Sequence, residues 1–274
     1  MLNVEIKYIK STDNPLIKEV VKLQLKKRVR DESKLFVIEG FRESSRAFDA
    51  GVKIKKLLFS PEWFLKDSND NLIEQIGNSG AEIIEVAKNT FKKLSYRDRP
   101  DGFIALAEQP ELSLSKLEVK KDSVFLVVEQ IEKPGNLGTL LRGCDAAGIE
   151  GMIVCDPVTD VFNPNVVRAS TGALFSTPVA VCADSQEALN WLKEKRVRVF
   201  STTPHTENIY WDSNFKTGGP IAIVAGAEQY GLTDLWLKNS DELIKLPMEG
   251  SADSLNIAVS SIVCLYEVLR QRNS

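Results

Sequence analysis

The chain has 274 residues, a net charge of −3 and 27% charged side chains, the make-up of an ordinary globular protein long enough for two domains. No apolar run approaches the roughly 18–20 residues of a membrane span. Met1-Leu-Asn-Val-Glu5 lacks the basic end and apolar core of a signal peptide, so a cytoplasmic protein is expected rather than a membrane or exported one. Residues 1–106 carry 20 basic and 16 acidic side chains, residues 107–274 carry 15 and 22, so a polyanion would favour the first part. Cys144, Cys155, Cys182 and Cys264 sit singly in apolar surroundings without CxxC spacing, which predicts buried thiols and no metal site.

Asp13-Asn-Pro15 opens a predicted helix with an imperfect apolar stripe at Leu16, Val20, Leu23 and Leu25. The basic residues that crowd it, among them Lys26, Lys27, Arg28 and Arg30, are either a solvated face or an arm for RNA phosphates, and disorder past Lys27 is a further option. Then strands and helices alternate. Leu35–Glu39 is read as strand, Arg42–Ala50 as helix, Ile54–Phe59 as strand, and Pro61 to about Ile76 as helix. Ala81–Val86 is read as strand, Phe91–Leu94 as a short helix and Gly102–Ala107 as strand. This is an α/β layer of about 108 residues. Tyr96-Arg97-Asp-Arg99-Pro-Asp-Gly102 is a basic, turn-rich loop, either solvated or a second RNA contact. Residues 109–122 read as an interdomain connection.

From Val124 the rhythm restarts. Strands are read at Val124–Val128, Met152–Cys155, Val179–Cys182, Val197–Ser201, Ile221–Ala225 and Leu243–Leu246. Helices are read at Gly138–Ala147, Asn163–Ser170, Gln186–Lys195 and Leu232–Leu237, with a last helix after Asn256. Buried strands with helices between them imply a mostly parallel sheet, and ligands then belong at the strands' carboxyl ends. Three polar loops fall there: Asn136-Leu-Gly-Thr-Leu-Leu-Arg142, Gly226-Ala-Glu228-Gln-Tyr-Gly231, and Leu246-Pro-Met248 through Ser254-Leu255-Asn256. Ser254 or Asn256 is a natural helix cap. Neither Gly135-Asn-Leu-Gly138 nor Gly226–Gly231 has the GxGxxG spacing of a nicotinamide site. His205 stands alone in a loop, without metal-ligand company.

The three loops, in this order, resemble the three motifs of the SPOUT superfamily, in the branch of TrmH/SpoU-type RNA ribose 2′-O-methyltransferases. The segment Phe36-Val-Ile-Glu-Gly-Phe-Arg-Glu43 more weakly resembles the L30e-like substrate-binding domain found in front of many of them. The resemblance implies a SPOUT domain over 123–274 with a deep trefoil knot, behind an L30e-like RNA-binding domain over 1–108. It implies S-adenosylmethionine as cofactor, S-adenosylhomocysteine as product, no metal, and a homodimer paired through the knotted domain.

By motif, Arg142, Asn136, Glu228, Ser254 and Asn256 become catalytic candidates. Thr202, Thr203, Ala225, Gly226, Glu228, Leu246, Met248 and Leu255 become cofactor candidates. Lys26, Lys27, Arg28, Arg97, Arg99 and Arg168 are candidate RNA contacts, Arg168 through Val167-Arg-Ala-Ser-Thr-Gly172. The expected reaction is methyl transfer to a ribose 2′-hydroxyl of structured RNA, with rRNA ahead of tRNA. The competing class is an inactive RNA-binding or ribosome-assembly protein of the same fold.

Overall fold

A computed structural model describes residues 4–65 and 69–274. The chain divides into two compact units. The first contains β1 (Ile6–Ile9), α1 (Pro15–Leu25), α2 (Lys27–Ser33), β2 (Leu35–Glu39), α3 (Phe41–Asp49), β3 (Ile54–Phe59), α4 (Asp70–Asn78), β4 (Glu82–Val86), α5 (Lys88–Leu94) and β5 (Phe103–Glu108). Its sheet runs β1-β4-β3-β5-β2. β1, β4 and β3 are parallel, and β5 is antiparallel to both β3 and β2. One core joins Ile17, Val20 and Leu23 of α1 to Val37, Leu58, Ile84, Ile104 and Leu106 of the sheet. Asn14 caps α1 by accepting from Leu16 N at 2.9 Å, with Pro15 in the first turn.

Three local expectations need correction. Residues 61–76 are not one helix. Pro61–Trp63 makes a single 3-10 turn, α4 starts at Asp70, and residues 66–68 lie outside the described residues. The edge strand β1 has no counterpart in the sequence reading, although Val4-Glu-Ile-Lys-Tyr8 alternates apolar and polar residues; Ile6 and Tyr8 stay exposed. Beyond Lys27 the chain forms α2.

The segment Asp160–Ser176, with α7 at Pro164–Ser170, also belongs to the first unit, although chain order puts it in the second. Phe36 of β2 meets the rings of Phe162 and Phe175 at centroid distances of 4.7 and 6.2 Å. Arg30, read above as one more surface cation, is 2% exposed. It pairs with Asp160 at 2.6 Å and donates to Leu23 O at 2.6 Å.

The second unit holds β6 (Val124–Glu129), α6 (Pro134–Ala147), β7 (Gly151–Cys155), β8 (Val179–Cys182), α8 (Ser185–Glu194), β9 (Arg198–Thr202), β10 (Ile221–Ala225), α9 (Asp234–Asn239), β11 (Glu242–Ile244) and α10 (Ile257–Arg272). All pairings in its six-stranded sheet, order β11-β9-β10-β6-β7-β8, are parallel. Every residue of β6, β7 and β10 is buried, as expected of strands covered on both faces. The stretch before β6 is more than a tether, since Leu114 and Leu117 join this unit's core. α6 and α10 touch at Gly143, where a Cβ would lie 2.4 Å from Ile262 Cγ1, so only glycine lets them come this close. All four cysteines are buried, and burial, with Glu267 nearby, pushes the Cys264 thiol up to about 12. Among the described residues no helix is long and apolar enough to cross a membrane.

Removing one partner of a buried ion pair strands the other charge. Asp160→Ala should therefore lower unfolding stability by about 3–5 kcal/mol, read as an earlier urea midpoint. A loss below about 1 kcal/mol, the value of an exposed pair, would contradict a buried role for Arg30.

Candidate active site

In the second unit, the parallel strands β11, β9, β10 and β6 are neighbours, so the loops leaving their carboxyl ends share one edge of the sheet. The loop after β10 turns back on itself. Gly231 N donates to Ala227 O at 2.9 Å, and a Cβ on Gly226 would lie 2.3 Å from the Gly231 carbonyl. Glycine is thus required at 226, and the turn carries Glu228 to the lip of the edge.

There Glu228 joins the other loops. Its carboxylate accepts from Asn136 Nδ2, in the first turn of α6, and from Lys133 Nζ, just before that helix. Asn136 Oδ1 in turn accepts from Asn256 Nδ2 at 3.2 Å, while Asn256 Oδ1 caps α10 by accepting from Ala258 N at 3.0 Å. The cap reading of Asn256 holds, and the same side chain also bridges to Asn136. α6 begins at Pro134, a turn earlier than its apolar pattern suggests, which places Asn136 inside the helix.

Two cavities adjoin this chain of polar groups. One, of about 460 Å³, has Thr202, Thr203, Leu246, Met248 and Leu255 in its wall. The other, of about 610 Å³, has Ala225, Gly226, Glu228 and Asn256. Thr202, Thr203, Ser254 and Leu255 line both. All eight cofactor candidates therefore face one cavity or the other, as do Glu228, Ser254 and Asn256 of the catalytic candidates. Asn136 reaches the group through its two hydrogen bonds. Arg142 does not: it is exposed, lines neither cavity, and its side chain makes no hydrogen bond or ion pair with a described residue. It lies six residues beyond Asn136, about 9 Å along the helix.

Two contributors escaped the sequence reading. Lys133 neutralises Glu228. Glu129, 1% exposed, ends β6 and accepts from Ser185 Oγ (2.8 Å), Thr233 N (2.9 Å), Thr233 Oγ1 (2.8 Å) and Trp236 Nε1 (3.1 Å). It anchors the far side of the Glu228 loop. An acid closing the otherwise apolar run Val124–Val128 was the available signal. Among the described residues no group of three or more His, Cys, Asp or Glu could hold a metal ion.

Residues 123–266 match the SpoU rRNA Methylase family. The chain belongs to that family. Residues 14–105 match the MRM3-like substrate binding domain. The chain is 30% identical, over 87% of its length and 84% of the relative's, to a 23S rRNA (uridine(2479)-2′-O)-methyltransferase of Streptomyces viridochromogenes. A crystal structure of an RNA 2′-O ribose methyltransferase covers 97% of this chain and 100% of its own, at 40% identity and TM-score 0.83. An AdoMet-bound rRNA methyltransferase from Sinorhizobium meliloti covers 97% and 98%, at 28% identity and TM-score 0.89.

In this SpoU chain the candidate RNA contacts all lie in the first unit. Lys27 and Arg28 pair along α2 with Asp31 and Glu32, both at 2.6 Å. Lys26 and Arg99 are exposed. Arg97 is committed to Glu43 (2.8 Å), Asp101 (3.3 Å) and Glu39 O (3.0 Å), so its charge is matched within the fold. Arg168 is exposed, 5.6 Å from the centre of the Tyr96 ring.

The Gly226 turn gives a direct check on the site. Gly226→Ala should keep the circular dichroism of the fold yet weaken S-adenosylmethionine binding by at least about tenfold, or about 1.4 kcal/mol, in calorimetry. Unchanged affinity would contradict a role for this turn in shaping the cavity.

Proposed function

We propose that this SpoU protein transfers a methyl group from S-adenosylmethionine to a ribose 2′-hydroxyl of ribosomal RNA. The observation that carries the reading is the junction of the Asn136, Glu228 and Asn256 loops at the lip of the two-lobed cavity. Both lobes fall within the roughly 300–1,000 Å³ of small-molecule sites. Half-buried Leu246 and Met248 and exposed Leu255 suit a flat apolar ring, and the Thr202 and Thr203 loop adds polar groups. These residues fit the cofactor, which when bound supplies an electrophilic methyl on a positively charged sulfur.

The chain's own residues then have an ordering task. Asn136 and Asn256 fix each other, and Ser254 beside them is free to meet the ribose. Such positioning is worth several kcal/mol of barrier, on the order of that seen when reactants are pre-aligned. Arg142, without a partner among the described residues, is available to a substrate phosphate. A guanidinium is a poor proton acceptor, so its part is electrostatic rather than that of a base.

A homodimer through the second unit belongs to the same reading. Val259 and Tyr266 lie seven residues apart on α10 and are 48% and 46% exposed, an apolar stripe suited to a partner. We also retain the cytoplasmic location and the threaded knot. The return of β10 between β9 and β6 is compatible with such threading. Sedimentation should give twice the mass of the chain, and a monomer at micromolar concentration would remove the dimer.

The reaction is tested with labelled S-adenosylmethionine and rRNA transcribed without modifications, followed by digestion to nucleosides. Label should appear on a ribose. Arg142→Ala should lower transfer by at least about 100-fold, as loss of a transition-state contact does, with cofactor affinity unchanged. Label on a base, or full transfer by the variant, would overturn the assignment.

A further inference from the structure

The first unit has a cleft of about 730 Å³, lined among others by Phe41, Arg42, Arg46, Arg97, Arg168 and Thr171. Four guanidinium groups face it, and among the described residues only Arg97 has carboxylates, those of Glu43 and Asp101. Arg46 donates to Thr171 O at 3.2 Å and Arg168 to the Asn165 side-chain carbonyl at 3.1 Å, both uncharged acceptors. Arg42 is exposed, and its side chain makes no hydrogen bond or ion pair with a described residue. Elsewhere in this unit exposed cations do find acids, as in Lys7–Glu82, Lys27–Asp31, Arg28–Glu32 and Lys53–Glu108. Other exposed cations of the unit, such as Lys22, Lys26 and Arg99, have no acid among the described residues either, so what marks the cleft is that three guanidiniums in that state line one cavity. Arg42 and Arg46 stand four apart on α3, where like charges repel, and an anion between them would relieve the repulsion.

The cleft is held in shape. The Arg46 stem lies across Gly172, where a Cβ would come within 2.4 Å of Arg46 Cδ and the backbone φ is +92°. Glycine at 172 is needed on both counts.

Beside the cleft, Glu39 accepts from Ser95 Oγ (2.5 Å), Tyr96 N (2.9 Å) and Arg97 N (3.3 Å) and pins the loop that carries Tyr96. The Tyr96 ring remains 46% exposed, with its hydroxyl 3.4 Å from Asn165 Nδ2 and the Arg168 guanidinium 5.6 Å from its centre. A half-exposed ring fixed at its backbone, with a guanidinium over one face, is a platform for a base, and the neighbouring guanidiniums suit phosphates.

We infer that this cleft holds a single-stranded segment of RNA, with phosphates on Arg42, Arg46 and Arg168 and a base stacked at Tyr96. The inference rests on RNA being the substrate, and it adds which residues of the first unit grip the RNA and in which form. A duplex keeps its bases stacked inside, so Tyr96 selects for unpaired RNA.

The test uses the full chain and fluorescence anisotropy with a short mixed-sequence single-stranded RNA, and with the same sequence as a duplex. The double variant Arg42→Gln/Arg46→Gln should bind the single strand at least about fivefold more weakly. Its salt slope should fall by about 0.7 for each phosphate it no longer neutralises. Tyr96→Ala should cost at least about fivefold on the single strand and under about twofold on the duplex, with Tyr96→Phe restoring binding. Lys55→Gln, which removes a charge elsewhere on the unit, should stay within about twofold of the wild type.

Equal losses from Lys55→Gln, equal losses on duplex from Tyr96→Ala, or competition by poly-glutamate as effective as by RNA would overturn the inference. S-adenosylmethionine affinity and methyl transfer are measured on the same proteins. Selective RNA loss in a protein that transfers no methyl would leave the cleft standing and remove the methyltransferase reading instead. Full RNA binding by the cleft variants beside active transfer would do the reverse.

Discussion

Glu228 sits on a turn between two glycines, Gly226 and Gly231, that let the backbone fold against itself. What keeps the carboxylate in place is the company of Lys133 and Asn136 in front and the Glu129 anchor behind. Through Asn136 the constraint passes to Asn256, and so to the start of α10. Loops following three different strands are thereby locked to one another at the mouth of the cavity. Both outer links are charge-assisted or helix-capping bonds, stronger or better fixed than ordinary surface contacts. A ligand entering the cavity meets walls already set, so little of its binding energy goes into ordering them.

Charge is arranged differently in the two units. In the second, the buried Glu129 fixes backbone and side chains and Glu228 joins two loops at the cavity lip. The first binds many of its cations internally: Arg30 to Asp160, Arg97 to Glu43 and Asp101, and the α2 cations to acids one turn on. What matters for a polyanion is the remainder, and three of its guanidiniums, Arg42, Arg46 and Arg168, line one cleft. The family relation fits this division, with the methylase match over 123–266 and the substrate-binding match over 14–105.

Much of the fold was legible because long apolar runs such as Val124–Val128 and Ile221–Ala225 have few other uses than a doubly covered strand. The three loops were legible as a set for the same reason, since strand ends locate ligand sites in parallel sheets. What escaped was decided over long separations. Arg30 and Asp160 are 130 positions apart, and nothing local told Arg30 from Lys27 or Arg28. The same holds for Arg97, which reads as a free loop cation until Glu43 and Asp101 close on it. β1 was missed although Ile6 and Tyr8 alternate with Glu5 and Lys7, because a four-residue alternation is too short to stand out by itself. Arg142 was read together with Asn136 because they share a motif, yet the helix carries it past both cavities, where only substrate or a partner chain can give it a role.

The central claim is that Glu228, Asn136 and Asn256 act as one unit in shaping the cofactor cavity. A double-mutant cycle on S-adenosylmethionine affinity tests it most directly, using Asn136→Ala, Glu228→Ala and the pair. If the residues work together, each single change costs about tenfold and the double change costs little more, a coupling on the order of 1 kcal/mol. Additive losses, about 100-fold in the double variant, would mean that the two side chains act independently and that the loops are positioned by something else.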